Sequence, residues 1–437
     1  MNQFPLLSIL IFLPVICGAA LCLMPAEKRK ALFIVALVGS VITFVLSVVL
    51  WCQFDAANTS LQFIERFSWV PRLNIEYFLG VDGISIPLIL LSTITTIVII
   101  LTADRDTDSY NLYLGLFLML EGILIGVFAA QDSILFYLFW ELSLVPLLLL
   151  VGIWGGENRK YAAIKFFLYT FLGSVLMLVA LIYLGSNSET FAIAELTTKG
   201  IPQFYQQMLF LFFLIAFAVK VPMWPVHTWL PDAHVQAPTG GSVILAAVML
   251  KLGGYGLIRF NLPLFAGVSQ TFAMMIIVLS LIAIVYISFV ALSQKDMKSL
   301  IAYSSVAHMG FVTLGLFVIF LFKPFDASTA AMGVNGAIFQ MVSHGLISAA
   351  LFLGVGYLYK LTGTKQISDF GGIARKAPVF STFFVFFAFA NVALPGTSGF
   401  VGEFLVIIAS FRANFLIALI SALTMVLGAS YTLFMIK

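Results

Sequence analysis

The sequence predicts an all-α, polytopic membrane protein. Three observations support this fold class: 62% of the 437 residues are apolar, only 9% are charged, and long apolar segments recur along the whole chain. A soluble domain has a far larger charged fraction, and its apolar residues do not continue for about 18 positions at a time. The sequence therefore predicts that most of the chain crosses a bilayer as helices.

About thirteen apolar segments follow one another along the chain, divided by charged or Gly/Pro-rich breaks. The first segment has no basic n-region and no clear cleavage site, and another segment follows it at once. It therefore predicts a retained helix rather than a cleaved signal peptide. In chain order the predicted spans are 4–24, 31–52, 83–102, 110–130, 132–154, 161–184, 207–230, 239–260, 270–292, 299–322, 331–359, 379–410 and 412–436.

Lysines and arginines are distributed unevenly over the connections between these spans. The connections after odd-numbered spans hold twelve of them, including Lys298, whereas those after even-numbered spans hold six, including Lys323. Because cytoplasmic loops are enriched in these residues, the bias predicts that the odd-numbered connections are cytoplasmic and that the N-terminus is outside.

The composition also argues against several kinds of site. The three cysteines lie in the first two apolar spans and form no CxxC pair, and no glycine-rich phosphate loop follows a strand. We therefore predict no metal site, iron–sulfur cluster, disulfide framework or nucleotide site in this chain. The net charge of +3 comes from residues scattered over short loops and does not indicate a nucleic-acid partner.

The span 207–230 carries Lys220 near its middle and two prolines just beyond it. The lysine lies about 18 Å of helical rise into the apolar segment, which is near the depth of the bilayer centre. A charge there costs roughly 2.5–3.5 kcal/mol, so it normally faces a partner or water. Pro222 and Pro225 lack the N–H that a helix needs, which predicts a break. A buried lysine beside an unwound turn is typical of an ion path, although a snorkelling lysine at the end of a short helix is the alternative.

A second long span, 379–410, is interrupted by the residues ALPGTSGF and carries Glu403 about one helical turn later. Both interrupted spans contain the short sequence AFA before the break, at 216–218 and 388–390. Paired spans with Gly/Pro-containing breaks are typical of transporters built from inverted repeats, whose functional site lies at the breaks. Lys220 and Glu403 are therefore the first two candidate site residues.

The other candidates are the ionisable residues of the remaining spans and of the first break: Glu121, Glu141, Lys165, Lys251, His308, His344, His227 and His234. Glu141 is the natural counter-charge to a lysine, because an unpaired carboxylate in an apolar setting would take up a proton instead. Lys165 equally fits a snorkelling side chain, and Glu121 fits a neutral, hydrogen-bonded carboxyl. The histidines within spans could be packing residues, and those at the break could cap a helix or lie at the surface.

Four stretches of the sequence resemble the antiporter-like subunits of respiratory complex I. They are FYLFWELSLVPLLLLVGIWGG, AFAVKVPMWPVHTWLPDAHVQAPTGGSVILAAVMLKLGGYGL, IAYSSVAHMGF and NVALPGTSGFVGEF. The resemblance covers most of the chain, and segment 216–257 is highly specific to the family. The resemblance implies a fold of about fourteen helices with two inverted five-helix repeats, each containing one broken helix. Glu403 separates this chain from the sister subunits L and N, in which a lysine is expected at this point.

The resemblance also implies a domain organisation and a role for each candidate. Helices 1–3 would occupy 1–109, the first repeat 110–260 with its break at 220–225, and the second repeat 261–437 with its break at 391–402. Glu141 would pair with Lys220 and adjust its proton affinity. The proton relay would then continue through Lys251, His308, His344 and Glu403, with Glu403 near the outlet and with accessory roles for Glu121, Lys165 and His227.

By resemblance, the chain is a proton-translocating membrane subunit of NADH:quinone oxidoreductase in a bacterial inner membrane. NADH, flavin mononucleotide, iron–sulfur clusters and quinone are then expected in other subunits, with none bound here. The implied partners are the bilayer and the other membrane subunits of the complex, especially L and N. One alternative is a subunit of an Mrp-type cation/proton antiporter, which shares much of segment 216–257 but is disfavoured by Glu403. Another is a structural spacer whose buried charges are inactive.

Overall fold

The computed structural model describes residues 4–322 and 326–437 of the chain, so that Lys323 lies outside the described residues. Within these ranges, twelve helices are long and apolar enough to cross a membrane. The predicted span 379–410 is absent from the twelve because it is divided into two shorter helices. The all-α, multi-pass fold predicted from the sequence is confirmed.

In chain order the helices are α1 (Leu6–Leu23), α2 (Arg29–Gln53), α3 (Ser85–Thr102), α4 (Tyr110–Ala129), α5 (Ser133–Leu142), α6 (Leu144–Trp154), α7 (Arg159–Ser188), α8 (Gln203–Lys220), α9 (Trp229–Gln236), α10 (Thr239–Leu264), α11 (Ala266–Leu292), α12 (Met297–Phe317), α13 (Ala327–Thr362), α14 (Pro378–Asn391), α15 (Ser398–Ala413), α16 (Phe415–Ala422) and α17 (Thr424–Ile436). Short helical turns also occur, at Pro71–Leu73, Ile193–Glu195, Val318–Leu321, Ile367–Asp369 and Ile373–Lys376. Ser143 alone separates α5 from α6, and Leu423 alone separates α16 from α17.

The connection between α2 and α3 forms an antiparallel hairpin that the sequence analysis treated as a loop. Its strands are β1 (Gln62–Val70) and β2 (Ile75–Val81). The Glu65 carboxylate on β1 is buried and accepts hydrogen bonds from the backbone N–H groups of Leu7 (2.8 Å) and Ser8, so the hairpin caps the N-terminus of α1. The frequent aromatic and β-branched residues of this stretch were the available sequence signal.

The first compact unit comprises Met1–Ala216. Helix α4 lies at its centre and packs closely against α1, because glycines on both helices bring the two backbones together. A Cβ atom placed on Gly122 of α4 would lie only 2.2 Å from the carbonyl oxygen of Ile11. The position therefore requires glycine, and α4 is surrounded by protein along nearly its whole length.

The second compact unit comprises Phe217–Lys437. Helices α10 and α12 are buried along most of their length, and α13 packs against both α12 and α15. Two segments of α10, Leu245–Met249 and Leu257–Asn261, have π-helical hydrogen bonding. Such segments occur frequently at functional sites. The two units are groupings by packing, so the repeat boundaries given above remain a prediction.

Both predicted breaks are present, and the backbone groups that they free have new partners. After α8 ends at Lys220, the N–H of Met223 donates to the carbonyl oxygen of Ala218 at 2.8 Å. The indole Nε1–H of Trp229 donates to the carbonyl oxygen of Val219 at 2.9 Å. Since no water is available inside a bilayer, these bonds allow the helix to stop there. The second break, between α14 and α15, contains positive-φ residues at Ala393 and Gly396.

Candidate functional site

The second unit brings four of the predicted site residues into one line of contacts. Lys251 contacts His344, the rings of His344 and His308 lie side by side, and His308 contacts Glu403. Each of the four comes from a different helix, namely α10, α13, α12 and α15. All four side chains are buried, with exposed fractions between 0% and 4%. The arrangement is therefore a buried series of groups that can each bind or release a proton.

Lys251 occupies the end of the line that lies on α10. It follows the first π-helical segment, and its Nζ donates a hydrogen bond to the carbonyl oxygen of Ala246 at 2.5 Å. The same Nζ lies 2.9 Å from Nδ1 of His344. An ammonium group has three donors and no acceptor, so a protonated Lys251 donates to Nδ1 and leaves the ring proton of a neutral His344 on Nε2.

Glu403 occupies the other end of the line, one helical turn after the second break. Its Oε1 lies 2.7 Å from Nδ1 of His308 and accepts a hydrogen bond from Nε2 of Gln340 at 3.0 Å. The hydroxyl of Tyr431 lies 3.4 Å from Nε2 of His308. Sequence reasoning did not single out Gln340 or Tyr431, since neither carries a charge. A polar residue within an apolar span was the only signal for Gln340.

The two imidazole rings form the middle of the line. Their centroids are 5.6 Å apart, and the ring planes are inclined by 50°. A small cavity adjoins both rings and is also lined by Gln340, Asn391 and Glu403. The line therefore contains two directly hydrogen-bonded pairs, joined where the rings meet this cavity.

Lys220 is buried at the end of α8, whose last residues, from Phe217 onward, belong to the second unit. A Cβ atom on Gly253, two residues after Lys251, would lie 2.7 Å from the carbonyl oxygen of Phe217 and 2.6 Å from the Val221 side chain. This close contact is possible only with glycine, and it brings the helix of Lys251 against the broken helix that ends at Lys220.

The first unit contains the three other candidates from the spans. Glu141 lies near the end of α5, one turn after Tyr137, whose hydroxyl is hydrogen-bonded to it. Glu121 is fully buried in α4, and neither of its carboxylate oxygens has a hydrogen-bond partner among the described residues. Lys165 is half-buried, with Nζ 5.5 Å from the centre of the Tyr161 ring. The pairing of Glu141 with Lys220 remains a prediction.

The histidines at the first break are buried, so neither is a surface residue. His227 packs edge-on against Tyr303 with ring centroids 6.4 Å apart. His234 is fully buried and stacks on Phe352 with ring centroids 4.4 Å apart. Neither ring nitrogen of His234 has a hydrogen-bond partner among the described residues.

Lys298 is a correction to the sequence analysis, which counted it among the loop residues. It lies in the first turn of α12 and is only 3% exposed. Its Nζ donates to the carbonyl oxygen of Ala237 at 2.8 Å and to the hydroxyl of Ser242 at 3.2 Å. The error arose because α12 begins two residues earlier than the apolar pattern indicated, which places this lysine on the helix.

A metal site was not expected from the sequence. Among the residues that the structure describes, no group of three or more His, Cys, Asp or Glu side chains is arranged to hold a metal ion. The nitrogen and oxygen atoms of the line of contacts can bind protons and transfer them.

The chain is similar to known proteins over nearly its whole length. The family described as "NADH:quinone oxidoreductase/Mrp antiporter, TM" matches residues 130–434. The NADH-quinone oxidoreductase subunit M of Rickettsia felis is 48% identical over an alignment of 445 positions, which covers 100% of this chain and 88% of the relative.

Solved structures are similar as well. Respiratory complex I from Thermus thermophilus contains a chain that matches with a TM-score of 0.88 and 31% identity, over 99% of this chain and 88% of that one. A chain of the Mrp complex from a Dietzia species matches with a TM-score of 0.82 and 21% identity, over 98% of this chain and 46% of that one. At such low identity, the second likeness concerns the fold alone.

Proposed function

This chain belongs to the NADH:quinone oxidoreductase/Mrp antiporter transmembrane family, and we propose from this premise that the line from Lys251 to Glu403 carries protons. The chain is a multi-pass, proton-translocating membrane subunit of NADH-quinone oxidoreductase. The one observation that supports the proposed path is the series of contacts in the second unit: 2.9 Å from Lys251 to His344, ring centroids of His344 and His308 5.6 Å apart, and 2.7 Å from His308 to Glu403.

The proposed path uses each group for what its chemistry allows. Lys251 holds a proton that it can donate to His344 along their hydrogen bond. Each imidazole can accept a proton on one nitrogen and release one from the other, so the two rings link Lys251 to the carboxylate. Glu403 receives the proton and releases it toward the outlet. Because helices and apolar side chains surround the path, a proton on it is shielded from the exchange with bulk water that would short-circuit transport.

Control of the path is proposed to come from Lys220 and Glu141. A lysine beside a carboxylate keeps its proton, whereas one whose partner withdraws gives the proton up more readily. Two unit charges 4 Å apart interact by about 4 kcal/mol at an effective dielectric constant near 20, so a modest separation changes proton occupancy strongly. The tight packing of α10 against the end of α8 supports a second step, from Lys220 to Lys251.

The finer placement of the chain is also proposed. Its location would be a bacterial inner membrane with the N-terminus in the periplasm, and its neighbours would be the sister subunits L and N. NADH, flavin mononucleotide, iron–sulfur clusters and quinone would bind in other subunits. The Mrp-type alternative has less support, because the 48% identical relative is a subunit M whereas the Mrp chain shares only 21% identity.

Lys251→Ala tests the proposed path in the assembled complex. Inverted membrane vesicles would be supplied with NADH, and the rate of proton uptake would be compared with the rate of quinone reduction. We expect Lys251→Ala to lower proton uptake per quinone reduced, because the first donor of the line is lost, while assembly is retained. Lys360→Ala, which removes an exposed lysine from α13, is the matched control and should pump normally. Normal pumping by an assembled Lys251→Ala complex would favour the spacer alternative.

A further inference from the structure

Helix α9 follows the first break, and donors from other elements hold the carbonyl groups at its end. An α-helix leaves its last four C=O groups without a partner inside the helix. At the end of α9, the carbonyl oxygen of His234 accepts from the hydroxyl of Ser242 on α10 at 3.0 Å. The carbonyl oxygens of Val235 and Ala237 accept hydrogen bonds from lysine ammonium groups. Three separate donors therefore close this end of the helix.

The two lysines come from different parts of the second unit. Nζ of Lys298, in the first turn of α12, donates to the carbonyl oxygen of Ala237 at 2.8 Å. Nζ of Lys365, in the connection between α13 and α14, donates to the carbonyl oxygen of Val235 at 2.9 Å. A helix carries partial negative charge at its C-terminus, so both ammonium groups are favourable there although they repel each other. The two lysines therefore act on the same helix end.

The connection that contains Lys365 is itself bonded to the start of α12. The N–H of Met297, the first residue of α12, donates to the carbonyl oxygen of Lys365 at 3.0 Å. The N–H of Ile367 donates to the carbonyl oxygen of Lys295 at 2.9 Å, and the residues between these two bonds face each other in an antiparallel bridge. We call residues 364–367 the strap. It fixes the backbone of Lys365 against α12, while the side chain of Lys365 holds α9.

The strap leads into the helix that precedes the second break. The chain passes through two short helical turns, Ile367–Asp369 and Ile373–Lys376, and enters α14 at Pro378. The second of these turns packs against α14, and α14 packs against α13. A continuous path of bonds and contacts therefore runs from the end of α9 to the helix before the second break.

A shift of α9 has to act on the strap. The hydrogen bond from Lys365 to Val235 is 2.9 Å long and is lost beyond about 3.5 Å, so a movement of about 0.6 Å is enough to break it. The Lys365 ammonium also lies 5.1 Å from the centre of the Tyr359 ring on α13, within the range of a cation–π contact. Lys365 is thus held by three helices, and a larger shift of α9 either breaks the bond or carries the strap with it.

We propose that Lys298 and Lys365 are positioning residues that hold α9, and that the strap links α9 to α14 so that the two broken helices change position together. This inference goes beyond the proposed proton path, because it concerns the helices at the two breaks and not the groups that bind protons. Its consequence for transport is that a movement at the first break, next to Lys220, is transmitted to the second break, which Glu403 follows.

Lys365→Met in the assembled complex tests the link, because methionine keeps a long side chain but has no ammonium. Hydrogen–deuterium exchange would be measured at the backbone amides of Ala237 and Ser381, each of which donates to a carbonyl four residues earlier, at the end of α9 and the start of α14. We expect exchange at Ala237 to become roughly tenfold faster, the size that corresponds to a lost hydrogen bond from a charged group, and exchange at Ser381 to rise with it. Lys365→Arg restores a donor and should return both rates toward wild type. Lys376→Met removes an exposed lysine from the same connection and is the matched control, which should exchange like wild type.

Met297→Pro is the second test, and it changes the strap without altering α9. Proline fits the first position of a helix, and Asp296 before it already has an extended backbone. The substitution removes the N–H that donates to the carbonyl oxygen of Lys365. We expect exchange at Ala237 to rise several-fold although the Lys365 ammonium is retained, whereas Met297→Ala, which loses the side-chain packing but keeps the N–H, should exchange more slowly than Met297→Pro. Equal exchange at Ala237 in these two variants would overturn the role of the strap.

The inference and the proposed proton path fail separately. Faster exchange at Ala237 with wild-type exchange at Ser381 in Lys365→Met would overturn the link between the breaks, and wild-type exchange at both would overturn the hold on α9 as well. If Lys251→Ala pumps normally while Lys365→Met exchanges faster at both helix ends, the proton path is wrong and the link stands. If Lys251→Ala lowers proton uptake while Lys365→Met exchanges like wild type, the link is wrong and the proton path stands.

Discussion

Gly402→Ala should disturb the candidate site without removing any of its polar groups. Gly402 on α15 directly precedes Glu403 and faces α13. A Cβ atom at this position would lie 2.9 Å from the Cα of Gln340 and 2.6 Å from its Oε1. The side-chain oxygen could rotate away, but the Cα belongs to the backbone of α13 and cannot.

The expected displacement follows from these distances. Ordinary contact of a Cβ atom begins at 3.4 Å, so 2.9 Å requires the two helices to separate by about 0.5 Å. The hydrogen bond from Gln340 to Glu403 would then lengthen from 3.0 Å to about 3.5 Å, the limit at which it no longer stabilises the carboxylate. An extra methyl group in a tightly packed interior typically destabilises by about 1–3 kcal/mol. We therefore expect proton uptake by the assembled complex to fall roughly tenfold, with quinone reduction by uncoupled vesicles retained.

Gly267→Ala provides the control, because it makes the same substitution in helix α11 where an added Cβ would meet nothing within 4 Å. It should pump at the wild-type rate, and its alanine should if anything favour the helix. A Gly402→Ala complex that pumps normally, with an unchanged distance between α13 and α15, would refute the claim that this contact positions Glu403.

Two other substitutions test how the helix ends are held. Trp229→Phe keeps the aromatic packing but removes the donor to the Val219 carbonyl. The lost hydrogen bond should destabilise the protein by about 1–3 kcal/mol and so lower the temperature at which the complex loses half of its activity on heating. An unchanged temperature would mean that the carbonyl finds another donor. Glu65→Gln replaces the charged cap of α1 and should speed hydrogen–deuterium exchange at the Leu7 amide roughly tenfold, whereas exchange in α12 should not change. Equal exchange at Leu7 in both proteins would show that the hairpin does not stabilise this helix end.

The sequence was most informative where an ionisable residue interrupts an apolar span. Lys251, His308, His344 and Glu403 could each be selected because a charge or an imidazole in hydrocarbon is unfavourable without a partner. Their joining into one line could not be worked out from spacing, since they lie on four helices and meet only through tertiary packing. The family resemblance supplied that expectation. The four side chains contact one another in the second unit, and their role as a relay stays a prediction.

The sequence was least informative where a residue is polar but uncharged, or where a helix end decides its environment. Gln340 lies in a span whose other residues gave a stronger apolar signal, although its amide contacts Glu403 directly. Lys298 was placed in a loop because hydropathy locates helix ends only to within a few residues. The hairpin of β1 and β2 was not predicted because its strands lie between two long apolar spans, and such spans are a stronger sequence signal than two short strands.

The two ends of the line differ in a way that gives the proposed transfer a direction. The Nζ of Lys251 is hydrogen-bonded to a carbonyl oxygen and to an imidazole, which are uncharged groups, whereas the far end of the line is a carboxylate. A proton that moves from Lys251 toward Glu403 therefore approaches a negative charge, and at 4 Å that attraction is about 4 kcal/mol for an effective dielectric constant near 20. An unperturbed amine nevertheless holds its proton more strongly than an unperturbed carboxylate by about 8 kcal/mol, so this attraction offsets only part of the difference. We therefore expect the proposed transfer to need energy from quinone reduction at the Lys251 end of the line, where the lysine must give up its proton.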